Sequence, residues 1–269
     1  MTLPSIALTP LGRPVSDADA APLLLLGPSL GTSTILWEDV APALVADYRV
    51  VAWDLPGHGA SSPATESFTV ADLADAVAAS VEGPFLYAGV SLGGAVGLSL
   101  ALRHPDRVAA AAILASGAQL GDPAAWHERA AQVRAQSTSS LIIASAQRWF
   151  APDSVARRPE LSGRLLHALQ DADDESYALC CEALAGYDVR PELSSIRTPV
   201  LAVWGEHDGV APESKAVEIA DGVVDGTALA MTGAAHLPPA EQPEATASAL
   251  LDFFASRRPG RSAAQGASA

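Results

Sequence analysis

Basic residues are scarce in this chain: 16 Lys and Arg stand against 31 Asp and Glu, a formal net charge of -15. Nucleic acid and anionic membrane surfaces need a basic patch, so neither is expected as a partner. Long apolar runs are missing too, since none approaches the roughly 20 residues of a membrane span. No N-terminal stretch joins a basic region, an apolar run and a cleavage site, so the expectation is a soluble, cytoplasmic protein. The only cysteines are the adjacent pair Cys180 and Cys181. A disulfide between neighbours is strained, and they read as small buried residues in a reducing compartment. None of these lacks says much about fold.

What is present sets the architecture. A chain of 269 residues, 49% hydrophobic, can bury one sizeable core. Short apolar runs at 22–27, 48–55, 84–90, 108–116, 199–205 and 226–233 read as strands, and most are near-continuously apolar, as in a parallel sheet covered on both faces. Helical spacing over 70–82, 92–103, 211–220 and 240–256 alternates with them, which makes a βαβ series. The rhythm breaks between about 117 and 195, where helical spacing continues without a strand. The expected organisation is an α/β core from 1–116 and 196–257, a helical cap at 117–195 and a disordered tail at 258–269. In open α/β sheets ligands bind at the carboxyl ends of the strands, which this cap would cover.

The chemistry is concentrated at that edge. Gly89-Val90-Ser91-Leu92-Gly93 stands between an apolar strand and a helical segment. GxSxG alone is a weak signal, but the strand before and the helix after are the context of a nucleophile elbow. A serine hydroxyl needs a base, itself oriented by an acid, in the chain order Ser, Asp or Glu, His. Asp208 follows one strand and His236 the next, so the order is met. Glu206 competes for the acid role, while His58, His104, His127, His167 and His207 do not follow the last strand. His58 is expected to organise the loop after the strand at 48–55. Negative charge on the attacked oxygen requires fixed donors. The N–H of Leu92 is one candidate, and Leu30, in the GPSLGT loop after an early strand, is the other. Pro28 has no N–H to offer, so that donor must lie downstream of it.

From about residue 20 to 256 the chain resembles an α/β-hydrolase, and specific segments resemble the 3-oxoadipate enol-lactonases of aromatic catabolism. These are GPSLGT followed by Trp37, DLPGHGASS at 54–62, GVSLGG at 89–94, RWFAP at 148–152, SYALCCEALAGYDVR at 176–190 and AAHLPPAEQPEA at 234–245. The N-terminal LPSIALTPLGRPVSD departs from the pattern, because the opening pair of strands is short and poorly patterned there. The resemblance implies opening of 3-oxoadipate enol-lactone to 3-oxoadipate in the β-ketoadipate pathway, through an acyl-enzyme on Ser91 and with no metal or organic cofactor. It also implies, for some relatives, fusion to a carboxymuconolactone decarboxylase through a small-residue linker, which SRRPGRSAAQGASA resembles.

An anionic lactone approaching a chain of net charge -15 needs a local cation. The cap offers Arg129, Arg134, Arg148, Arg157 and Arg158. Arg134 and Arg148 are the expected substrate contacts, with Trp126 and Trp149 as apolar walls and Ser29 and Thr32 as further contacts. A general carboxylesterase or cofactor-free perhydrolase would share the triad without a carboxylate-binding arginine. A non-catalytic binding protein on this fold would normally have lost part of the triad.

Overall fold

The computed structural model describes residues 3–12 and 21–257. The expected disordered tail at 258–269 lies outside the described residues. Seven strands form one sheet in the order β1-β3-β2-β4-β5-β6-β7: β1 (Ala7–Pro10), β2 (Leu23–Gly27), β3 (Arg49–Asp54), β4 (Phe85–Val90), β5 (Val108–Leu114), β6 (Val200–Gly205) and β7 (Gly226–Met231). Six run parallel, and β1 pairs antiparallel with β3, Leu8 opposite Trp53. The short N-terminal segment thus supplies one edge strand.

Every residue of β2 and β4 is buried. Alternate side chains of a strand point to opposite faces, so both faces of the sheet centre are covered. Leu24, Leu25 and Leu26 have no exposed surface, and burying each such side chain contributes about 1.5–3 kcal/mol. The edge strand β7 differs, because five of its six residues are exposed although its sequence is mostly apolar. At a sheet edge no further strand remains to shield it.

Helix Val70–Ala79 starts on a capping box, in which Thr69 Oγ1 accepts from Asp72 N–H and the Asp72 carboxylate accepts from Thr69 N–H. It packs on helix Leu92–Arg103, which leans on β4 and β5. Helix Glu213–Gly222 covers β6 and β7. Between β5 and β6 lie helices Pro123–Gln136, Ile142–Trp149, Pro159–Asp171 and Asp174–Ala185, with shorter turns. The two ends of this helical layer meet in a bridge between Gln119 and Asp188. Its far side is tied to the sheet domain by Arg158–Asp39 and Arg164–Glu38 ion pairs at 2.7 and 2.8 Å. Cys180 and Cys181 are buried and unpaired on Asp174–Ala185, and burial pushes the Cys181 thiol up to about 12. Among the described residues, no helix is long and apolar enough to cross a membrane.

Candidate active site

Ser91 sits between β4 and helix Leu92–Arg103 at φ 55°, ψ -114°. That conformation is strained for a residue with a side chain, and the surroundings hold it. Ser91 N–H donates to Leu114 O at 2.9 Å, Ser116 Oγ donates to Ser91 O at 2.7 Å, and Gly93 N–H donates to Pro28 O at 3.0 Å. The glycines have separate reasons. A Cβ on Gly89 would strike the Gly93 backbone, and one on Gly93 would strike Pro28 O, where the loop after β2 passes.

Asp208 follows β6 and His236 follows β7, both almost fully buried. His236 Nδ1 lies 2.9 Å from Asp208 Oδ2, while Asp208 Oδ1 accepts from Val210 N–H at 2.7 Å and Ala211 N–H at 3.1 Å. Burial pushes the Asp208 carboxyl up. The charge and hydrogen bond of His236, with the two N–H donors, outweigh burial and hold it below the usual carboxylate value. A carboxylate on Nδ1 fixes the tautomer with Nδ1–H, which leaves Nε2 as the basic nitrogen. Glu206, the competing acid, instead accepts from Gly233 N–H and is exposed.

The loop after β2 is closed on itself. Thr32 Oγ1 accepts from Ser29 N–H at 3.0 Å and donates to Ser29 O at 2.8 Å, and Thr32 N–H also donates to Ser29 O. Gly31, at φ +81°, donates its N–H to His58 Nε2 at 3.3 Å. His58 Nδ1 in turn lies 2.9 Å from Pro56 O. Burial drives this imidazole down to about 4, so it is neutral and can accept from Gly31. With Pro28 lacking an N–H, the Leu30 N–H is the one in this turn without an acceptor among the described residues. Leu92 opens its helix, so its N–H is likewise among those a helix leaves without an internal acceptor.

A cavity of about 280 Å³ lies between sheet edge and helical layer, and Ser29, Leu30, Ser91, Val210 and His236 line its floor. Trp126, Arg129, Arg148, Trp149 and Tyr177 line the side facing them. Arg129 lies over the Trp126 ring with its guanidinium carbon 5.1 Å from the centroid. Arg148 is half-buried and donates Nε–H to Ala144 O, one turn back on its own helix. Burial first, then the charge of Arg129, makes the Arg148 guanidinium easier to deprotonate than usual. Among the described residues neither arginine has a carboxylate partner. This is a strained, serine-bearing turn, an imidazole–carboxylate pair and two arginines around one cavity.

A family model described as alpha/beta hydrolase fold matches residues 22–242. The chain belongs to that family. This hydrolase is 34% identical to 3-oxoadipate enol-lactonase 2 of Acinetobacter baylyi over 228 residues, which are 83% of this chain and 85% of the relative. It is 30% identical to a pimeloyl-[acyl-carrier protein] methyl ester esterase of Neisseria meningitidis, over 88% of this chain and 95% of the other. Among solved structures it is similar to the enol-lactonase from Burkholderia xenovorans LB400, with TM-score 0.87 and 29% identity, covering 93% and 96% of the two chains. With these relatives and this fold, the protein is an ester or lactone hydrolase.

Two expected substrate contacts of the hydrolase lie elsewhere. Arg134 is exposed and held by Glu175 at 2.6 Å and Glu182 at 2.5 Å, away from the cavity. At 3.6 residues per turn, Arg129 shares a face with Trp126, whereas Arg134 stands about 140° further round. Thr32 is fully buried and spends its hydroxyl on Ser29, so it shapes the loop without lining the cavity. Ser29, Trp126, Arg148 and Trp149 do line it. Arg129 and Tyr177, outside the expected contacts, line it as well. The three-residue step from Trp126 is the signal that could have found Arg129.

Proposed function

We propose that this hydrolase opens 3-oxoadipate enol-lactone to 3-oxoadipate in the β-ketoadipate pathway. The observation that carries the reading is the pair Arg129 and Arg148, without carboxylate partners among the described residues, in the cavity that Ser91 and His236 line. Two part-buried cations that repel each other are relieved by an anion, and the lactone carries one carboxylate beside the ester to be cleaved. Trp126 and Trp149 suit the flat apolar ring. The similarity to enol-lactonases supports the same substrate class.

In this reading Ser91 Oγ attacks the lactone carbonyl while His236 Nε2 takes its proton, and Asp208 holds the resulting imidazolium. The carbonyl oxygen gathers charge between the N–H groups of Leu30 and Leu92, each of which contributes on the order of 10²–10³ in rate. The ring C–O bond then breaks, and the leaving oxygen takes the proton from His236 as an enol, which tautomerises to the ketone. Water, deprotonated by His236, attacks the acyl carbon and releases Ser91 and the second carboxylate. No metal or organic cofactor enters these steps.

The test compares the enol-lactone with neutral p-nitrophenyl acetate, for the native enzyme and Arg148→Gln. The expected outcome is a preference for the lactone and, in the variant, a rise of about 10- to 100-fold in KM for the lactone with the neutral ester unaffected. Equal or faster turnover of the neutral ester by the native enzyme would make it a general carboxylesterase.

A further inference from the structure

The His236 loop is held by a carboxylate that the catalytic steps do not use. Glu241 ends a short helical turn, Pro238–Glu241, and its side chain is almost completely buried. One oxygen, Oε2, accepts from Ala235 N–H at 2.7 Å and from Leu237 N–H at 3.4 Å, the residues on either side of His236. The other, Oε1, accepts from Ala151 N–H at 2.6 Å, two residues beyond the cavity wall Trp149. The intervening N–H, that of His236, donates to Trp149 O at 3.2 Å. The segments around 149–151 and 235–237 are thus cross-linked twice, by one carboxylate and by one direct bond.

We propose that Glu241 is a positioning residue that sets His236 and the Trp149 wall of the cavity in one fixed relation. The proposal rests on the reading of His236 as the base. A buried carboxylate met by three backbone N–H groups and the Ser154 hydroxyl is held as an acceptor, and its two oxygens serve different backbone segments. Removing it frees three backbone N–H groups, two of which fix the main chain at the imidazole. Exclusion of water alone could be supplied by any apolar side chain of similar size. The division of the two oxygens between base loop and cavity wall is what a purely space-filling role leaves unexplained. A base displaced by about 1 Å loses about 10²-fold in rate without a matching loss of ligand binding.

Glu241→Gln is the first variant, because its amide keeps one acceptor but turns an NH₂ toward N–H donors on the other side. Glu241→Asp, shorter by one CH₂ and still charged, is measured in parallel and carries the test if the first does not fold. Three readings are taken on the full chain: the rate at which a fluorophosphonate labels Ser91, kcat and KM for p-nitrophenyl acetate, and the downfield proton resonance of His236 Nδ1–H. The expected result is a fall of about 10- to 100-fold in labelling rate and kcat per folded molecule, KM within about threefold, and a broadened or shifted Nδ1–H line. Labelling and kcat per folded molecule within about twofold of the native enzyme would overturn the proposal. Native protein that does not label at Ser91 would overturn the reading of the site itself, and the proposal with it.

Discussion

Acidification bears on one buried group with a sign that the structure dictates. His58 is buried, is driven down to about 4 from its ordinary 6.5, chiefly by burial, and accepts from Gly31 N–H. In the unfolded chain it takes a proton near 6.5. The unfolded state therefore binds more protons as pH falls below 6.5, and stability is lost from there down to about pH 4, where the folded form protonates as well. At about 1.4 kcal/mol per pH unit the full loss is about 3 kcal/mol, of which about 2 kcal/mol has gone by pH 5. The perturbation is His58→Asn, which does not titrate and keeps a donor for Pro56 O but not the acceptor for Gly31. At pH 7.5 the variant should be less stable by about 1–3 kcal/mol, because a buried N–H loses its partner. Between pH 7.5 and 5 it should lose about 2 kcal/mol less than the native protein, by urea unfolding at each pH. The carboxylates titrate alike in both proteins, so the comparison isolates the imidazole. Identical pH slopes would refute the account of His58 as a buried neutral acceptor.

Two further outcomes follow from the same geometry. Asp208→Asn should keep KM near native and lower kcat by about 10³–10⁴, read by steady-state kinetics, because the amide favours the wrong tautomer of His236. Arg134→Ala should leave kcat and KM unchanged and shift stability by no more than about 1 kcal/mol, since its ion pairs are solvent-exposed.

Most of the sheet was legible because its strands are short apolar runs bounded by turn residues, and the structure places β2 to β7 within two residues of the expected ends. Ser91, Asp208 and His236 were legible as candidates because loop position after a strand is a local property, and the structure brings them to one edge. The helical layer was legible only as helical. Which face of Pro123–Gln136 meets the cavity depends on its packing against Asp174–Ala185, and the sequence points to Arg129 over Arg134 only through its three-residue step from Trp126. The exposure of β7 was hidden for a similar reason, since an apolar run reads the same at an edge as at the centre. The role of Glu241 is hidden in the sequence because three of its partners are backbone N–H groups, which leave no mark there.

The self-closed turn from Pro28 to Thr32 bears on when its conformational entropy is lost. The crossed Ser29–Thr32 bonds, the His58 acceptor and the Gly93–Pro28 bond restrict this backbone before any ligand arrives. Restricting each residue costs about 1–2 kcal/mol, and that cost falls on the folding equilibrium. In the proposed mechanism, a carbonyl oxygen arriving at the Leu30 N–H would therefore meet a dipole that needs almost no reorganisation, and the barrier would be lowered with energy already committed when the chain folded.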